Sequence, residues 1–106
     1  MRRAVLIVVA VLATTAAHAE FFSGNDLLKR MDSSSPVDQG MALGYIIGVF
    51  GLTMGNAHCA PHGVQMGQAR DAAHLALEAA PAERHKRSAS DYVIVALKAT
   101  WPCPAK

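Results

Sequence analysis

Three residues in the middle of the chain, His58, Cys59 and His62, have side chains that could bind a metal or carry out nucleophilic chemistry. Two histidines four residues apart can share one helix face, and with a thiolate they form a ligand set of the kind that Zn²⁺ prefers. Pro61 and Gly63 break a helix at this point, however, and no carboxylate completes the set. We therefore predict no metal site. We expect both histidines in a loop after a helix C-terminus, where a charged imidazole gains from the helix dipole.

A catalytic nucleophile is the second chemistry that the residue types suggest. Cys59 with a neighbouring histidine, or Ser88 or Ser90 with His85, resembles a nucleophile–base pair. A hydrolase also needs an oriented base and an oxyanion site, and we identify no such set in this chain. The glycines from Gly63 onward are too sparse, and follow no strand, for a phosphate loop. We predict that the protein is not an enzyme and holds no cofactor.

The first nineteen residues have the composition of an export signal. Two arginines precede an apolar run, Ala4–Ala13, and small residues follow at Ala17 and Ala19. We predict a signal peptide over residues 1–19, cleaved after Ala19, and export to the periplasm. A membrane anchor is less favoured because ten helical residues rise only about 15 Å, half of a hydrocarbon core.

Cleavage would leave a single domain, residues 20–106, that is electrically neutral. Removing the two leader arginines from ten basic residues leaves eight, against eight acidic ones. Without a basic stripe, neither nucleic acid nor an anionic membrane is predicted as a partner. So small a domain has a small core, and two cysteines in an exported chain predict a disulfide, Cys59–Cys103. Closing this loop would stabilise the fold by about 4 kcal/mol.

Two sequence signals predict where the first helices begin. Ser23 and Asp26 have the spacing of a capping box, which predicts a short helix over residues 25–31. We expect its first turn to be covered by Phe21 or Phe22. The pair Ser35-Pro36 predicts a second helix that ends near Asn56. We expect its buried stripe to consist of Met41, Tyr45, Val49 and Leu52, with Val37 behind them.

The second half of the chain predicts two further helices. An alanine-rich segment, Gln65–Ala80, should bury one face, made of Met66, Ala69, Ala73, Ala76 and Ala80. On another face, Arg70, His74 and Glu78 follow one another at intervals of four residues, and we expect that face in solvent.

Ser88 and Asp91 form another capping-box spacing and predict a last helix over residues 89–100. Its inward side chains should be Val93, Ala96, Leu97 and Trp101, with Trp101 buried beside the disulfide. No segment shows the alternation of a strand. The predicted fold is all-α, a small bundle of three main helices plus a short N-terminal one.

Glycine recurs every four residues in the second helix, at Gly40, Gly44 and Gly48. Each glycine costs about 1 kcal/mol relative to alanine inside a helix, so a row of them favours close helix packing. The partner helix could belong to the same chain or to a second protomer. The pattern is also typical of membrane helix dimers, but polar residues and four glycines dilute the segment 41–57, and a buried helix of a soluble domain is favoured.

Six ordered fragments of the chain carry a resemblance to a known family. They are Ser23–Leu28, Gly44–Val49, Cys59–Val64, Gly67-Gln68, Pro81–His85 and Ala96–Cys103. Together they resemble the Rap/Tai family, periplasmic immunity proteins that are paired with amidase effectors of type VI secretion. Met31 and Met41 stand where the family commonly has two further cysteines, which leaves Cys59–Cys103 as the sole bridge. Gln65 replaces a threonine helix cap.

The resemblance implies an all-α periplasmic protein, often a homodimer, that plugs the active-site cleft of a peptidoglycan amidase. Exposed polar side chains on two loops, 58–63 and 83–87, are the expected contact surfaces. The candidate residues are His58, His62, Glu83, Arg84, His85, Lys86 and Arg87. Arg84 and His85 could instead tie their loop to neighbouring helix ends. Two other functions stay open, a periplasmic assembly or stability factor without an amidase partner, and a small membrane protein that uses the glycine row.

Overall fold

The computed structural model describes residues 22–105, so the predicted leader, its cleavage site after Ala19 and Phe21 lie outside the described part. Four helices make up this part: α1 (Gly24–Asp32), α2 (Pro36–Thr53), α3 (Met66–Glu78) and α4 (Ala89–Thr100). Every helix contacts the other three, and α3 and α4 share the most extensive contact. Within residues 22–105 there is no strand, and the predicted all-α fold is confirmed.

The first two helices begin where the local signals predicted. Ser23 Oγ accepts a hydrogen bond from the Asp26 amide at 3.1 Å, and Asp26 Oδ2 accepts one from the Ser23 amide at 3.1 Å. Ser35 Oγ accepts from the Asp38 amide at 3.5 Å, with Pro36 in the first turn of α2. The predicted caps are confirmed. Local sequence could predict them because each cap depends only on residues within a single turn.

The predicted buried stripe of α2 is wrong by one position along the helix. Its buried side chains are Ala42, Ile46 and Phe50. Met41 and Leu52 are exposed, as is Val37, while Tyr45 and Val49 are half-buried. Nearly every residue of α2 is apolar or glycine, so two neighbouring rows both have helical spacing. Helical periodicity alone could not decide which row faces the core.

The hydrophobic core draws on all four helices. Its members are Leu27, Met31, Ala42, Ile46, Phe50, Ala69, Ala73, Leu77, Ala89, Tyr92, Val93 and Leu97. In α3 only Ala69 and Ala73 of the expected face are buried, together with Leu77, whereas Met66, Ala76 and Ala80 are half-buried. In α4 the expected Val93, Ala96 and Leu97 are buried, and Ala89 and Tyr92 join them.

The polar face of α3 was predicted to lie in solvent, but two of its side chains contact the end of α1. The Arg70 guanidinium donates to the Met31 carbonyl at 3.4 Å. His74 Nε2 lies 2.7 Å from Asp32 Oδ1, and His74 Nδ1 lies 2.5 Å from Glu78 Oε1. Both side chains therefore bind groups at the C-terminal end of α1, and the Arg70 guanidinium supplies the positive charge that a helix favours there.

The disulfide joins the C-terminal segment to the loop that follows α2. Cys59 and Cys103 are bonded, with Cα atoms 4.7 Å apart, as predicted. The Cys59 amide also donates to the Trp101 carbonyl at 2.8 Å. Trp101 therefore lies beside the disulfide as expected, but it is half-buried instead of buried. At the other end of α4 the predicted capping box is absent, because the Ser88 hydroxyl bonds the Ser90 hydroxyl at 2.9 Å.

None of the helices in the described part of the chain is both long enough and apolar enough to cross a membrane.

Candidate functional site

Two connections carry the predicted contact residues, and they lie at opposite ends of α3. We call residues 54–65, between α2 and α3, the first loop, and residues 79–88, between α3 and α4, the second loop. A helix of thirteen residues is about 20 Å long. The candidate residues therefore fall into two separate groups, one at each end of the bundle.

His58 in the first loop is wholly buried, which corrects its prediction as a surface contact. The Ala60 amide donates to His58 Nδ1 at 3.2 Å, and Nε2 lies 3.0 Å from the Phe50 carbonyl. Since Nδ1 accepts a hydrogen bond, the proton is on Nε2 and the ring is neutral. His58 thus does lie after a helix C-terminus, but it holds the last turn of α2 as a neutral donor instead of a charged group.

The backbone of the first loop folds tightly around the end of α2. The Thr53 carbonyl accepts from the amides of Asn56, Ala57 and His58, and the Gly55 amide donates to the His58 carbonyl at 2.7 Å. Gly55 has φ +77°, a left-handed conformation that glycine adopts without steric cost. Together with the disulfide at Cys59, these bonds fix the first loop to the C-terminal ends of α2 and α4.

A surface pocket of about 320 Å³ opens beside the first loop. Its walls are Phe50, Met54 and residues 60–64. The Phe50 ring packs against the His58 ring, with centroids 4.6 Å apart, and meets the Trp101 ring edge-on at 6.1 Å. Among the described residues that line the pocket, His62 alone has a polar side chain, and it is exposed.

The second loop is bonded to the beginning of α1. The amides of Gly24 and Asn25 donate to the carbonyls of Arg87 and Arg84, at 3.2 and 3.0 Å. The Ala89 amide donates back to the Phe22 carbonyl at 2.6 Å. The first amides of a helix have no partner inside that helix, so the loop carbonyls satisfy them. The start of α1 therefore sets the position of the second loop.

Gly24 allows this close approach. A Cβ atom at Gly24 would lie 2.9 Å from the Arg84 carbonyl oxygen and 2.9 Å from Cε2 of Tyr92. Contacts this short cannot be accommodated without movement of the loop backbone or of the buried Tyr92 ring. Sequence analysis did not single out Gly24, because its importance comes from residues sixty positions away.

The charged side chains of the second loop have two different environments. Arg84 is half-buried, and its guanidinium donates to the Leu77 carbonyl at 3.2 Å, so it ties the loop to the end of α3. This geometry agrees with the alternative that Arg84 positions the loop. Glu83, His85, Lys86 and Arg87 are exposed, and their side chains are accessible to a partner protein.

The glycine row does not pack against another helix of the described chain. Gly40, Gly44 and Gly48 are exposed, and no atom lies within 4 Å of a Cβ built at any of them. Exposed apolar side chains lie on the same side of α2. We call this surface the outer face of α2; its members are the three glycines with Val37, Met41, Ile47 and Leu52.

No group of three histidines, cysteines or carboxylates in residues 22–105 is arranged to hold a metal ion. The Cys59 sulfur is bonded to Cys103, so it is not a free nucleophile.

A comparison with models of known protein families shows which family the chain belongs to. The model for Rap1a immunity proteins matches residues 23–103, from the cap of α1 to the second cysteine of the disulfide. The chain belongs to this family. Immunity proteins of this kind bind a toxin effector. The matched segment includes both loops, the pocket and the outer face of α2. A search of curated proteins finds no match for the chain.

Proposed function

We propose that this chain is a non-enzymatic periplasmic immunity protein that binds a peptidoglycan amidase delivered by type VI secretion and occludes its active-site cleft. The observation that carries the proposal is the family match over residues 23–103. The signal-peptide pattern of residues 1–19 supports the periplasm as the compartment. The order of sequence fragments that resemble the Rap/Tai family supports an amidase as the partner.

The second loop is the surface that we propose for insertion into the cleft. Its exposed charges, Glu83, Lys86 and Arg87, extend from a backbone that α1 and Arg84 already hold in place. A loop that is ordered before binding loses little conformational entropy in the complex. Occlusion needs shape and a few anchoring side chains and no catalytic group.

The test is inhibition of a purified type VI amidase from the same genome by the purified protein. We expect a complex by titration calorimetry and loss of peptidoglycan hydrolysis at equimolar ratio. Arg87→Glu should weaken the complex at least tenfold, because it reverses a charge in the proposed contact. Lys98→Glu makes the same charge change at an exposed position of α4. It is the matched control and should bind like the wild type.

Two results would contradict parts of this proposal. If no amidase of that genome binds or is inhibited, the proposed function is wrong. If Arg87→Glu binds like Lys98→Glu, the second loop is not in the interface although the function stands. Compartment is tested separately by cell fractionation, where we expect the mature chain in the periplasmic fraction with Glu20 as its first residue.

A homodimer is a further part of the proposal, with the outer face of α2 as its contact. Leu52 is 87% exposed and Val37 is 70% exposed, and they lie beside glycines against which a second helix could pack closely. Large exposed apolar patches on a soluble protein often mark an interface. Light scattering should give twice the monomer mass for the wild type and the monomer mass for Gly44→Glu. A monomeric wild type would remove the dimer from the proposal.

A further inference from the structure

We infer that the pocket beside the first loop is a second recognition site, which receives one uncharged apolar side chain of the effector protein. The inference rests on the proposed function only for the identity of that partner. The pocket lies at the end of α3 opposite the second loop, so its contact would be additional to insertion of that loop into the cleft.

The chemistry of the walls selects the side chain. Phe50, Met54 and Val64 supply apolar surface, and His62 is the one polar side chain among the described residues of the lining. A lysine or arginine side chain entering this site would lose its hydration and find no carboxylate among the lining residues. An aromatic or branched aliphatic side chain would bury apolar surface on both sides of the contact. Met54 can adapt to either shape because its side chain is unbranched and flexible.

The size of the pocket indicates one side chain and not a helix. Its volume of about 320 Å³ is at the lower end of the range for small-ligand pockets, roughly 300–1,000 Å³. Binding energy at protein interfaces is concentrated in a few anchors that fill pockets of this kind, with aromatic residues enriched among them.

The pocket is formed before any partner binds. His58, buried behind Phe50, holds the last turn of α2 and the Ala60 amide together. The disulfide fixes the neighbouring Cys59 to the C-terminal segment. Because these bonds already order the pocket, it does not have to become ordered on binding, which lowers the entropic cost of forming the complex.

A protein partner is the occupant that the observations favour. The chain belongs to a family of immunity proteins, whose binding partner is a toxin protein. The rim of the pocket is apolar as well, since Met54, one of its walls, is 43% exposed. A side chain inserted from a protein surface would cover both the pocket and this rim.

The first experiment uses capped amino acids as probes and needs no effector. We would titrate the ¹⁵N-labelled protein with N-acetyl-tryptophanamide, N-acetyl-leucinamide and N-acetyl-lysinamide and follow the Gly63 and Val64 amide signals. We expect saturable shifts with the first two probes and none with the third. Met54→Asp should lose the shifts, whereas Leu75→Asp, a control on α3 that is 72% exposed, should keep them. Met54→Gln, with a side chain of similar length, serves as a second variant if Met54→Asp is unfolded.

Three outcomes of this titration would overturn the inference: no shift at these amides, equal shifts with the lysine probe, or unchanged shifts in both Met54 variants. Shifts of the Gly63 and Val64 amides that depend on protein concentration without any probe would also overturn it, because the occupant would then be a second copy of the chain.

The second experiment measures the effector complex itself. Met54→Asp should raise the Kd at least tenfold, and Leu75→Asp should leave it within twofold of the wild type. If Met54→Asp binds the effector normally, the inference is wrong and the proposed function stands. If no effector binds the wild-type protein, the proposed function fails and the effector is excluded as the occupant of the pocket.

Discussion

His58 and His62 are four residues apart in one loop, and the structure gives them opposite roles. Both ring nitrogens of His58 are hydrogen-bonded to backbone groups and its side chain is buried, whereas His62 is exposed at the rim of the pocket. Nothing in their immediate sequence distinguishes them. The difference arises because the ring of His58 faces Phe50 across the end of α2, which is a property of the folded loop.

Replacing His58 tests this assignment. His58→Ala would leave the Ala60 amide without its acceptor and create a cavity beside Phe50, so we expect a loss of about 2–5 kcal/mol in the free energy of unfolding. His62→Ala is the matched control and should change stability by less than about 0.5 kcal/mol. Urea denaturation followed by circular dichroism measures both values. Equal stability of the two variants would contradict a structural role for His58.

At the scale of the helices, the start of α1 and the second loop behave as one unit. Three backbone hydrogen bonds connect them, and Gly24 lets Arg84 and Tyr92 approach. Local sequence could predict the Ser23 cap of α1, because a cap needs only the next three residues. It could not predict the contact with the second loop, since nothing in residues 23–26 indicates which distant carbonyls will accept their amide protons.

Gly24→Ala therefore should affect the second loop as well as overall stability. The added methyl group would clash with backbone and with a buried ring, and we expect a loss of about 1–3 kcal/mol. Gly67→Ala in the first turn of α3, where no atom lies within 4 Å of the added Cβ, should be neutral or stabilising by up to about 1 kcal/mol. Hydrogen exchange at the Asn25 and Ala89 amides should accelerate in Gly24→Ala alone. Unchanged exchange at both amides would mean that α1 does not position the loop.

The same limit on prediction applies to the faces of α2 and α3. In α2 two apolar rows had equal helical spacing, and the row with Ile46 and Phe50 became the buried one. In α3 the interval between Arg70 and His74 predicted a solvated face, but both side chains bind the end of α1. Spacing along one helix fixes which residues share a face. Which face is covered depends on neighbouring helices that are distant in sequence.

At the scale of the whole molecule, the two ends of the bundle are held in place in different ways, and only one of them depends on the disulfide. It closes 44 residues between Cys59 and Cys103, and it could be predicted by counting cysteines because the sequence contains only two. Its location relative to the pocket and the second loop could not be predicted in this way. The bond lies at the pocket end, whereas the second loop is held by α1 at the other end.

Removing both cysteines should therefore have a global and a local effect. Cys59→Ser with Cys103→Ser should lower the free energy of unfolding by about 4 kcal/mol, because the unfolded chain is no longer constrained. Under conditions where the variant remains folded, the backbone amides of position 59 and of Val64 should exchange faster with solvent. Both lie in the first loop, which the disulfide no longer holds. The Asn25 and Ala89 amides should keep the exchange rates expected from the global loss alone. Hydrogen exchange measured by NMR on wild-type and variant protein distinguishes these two classes. Acceleration of equal size at both ends would show that the disulfide acts only through the unfolded chain and does not hold the pocket in shape.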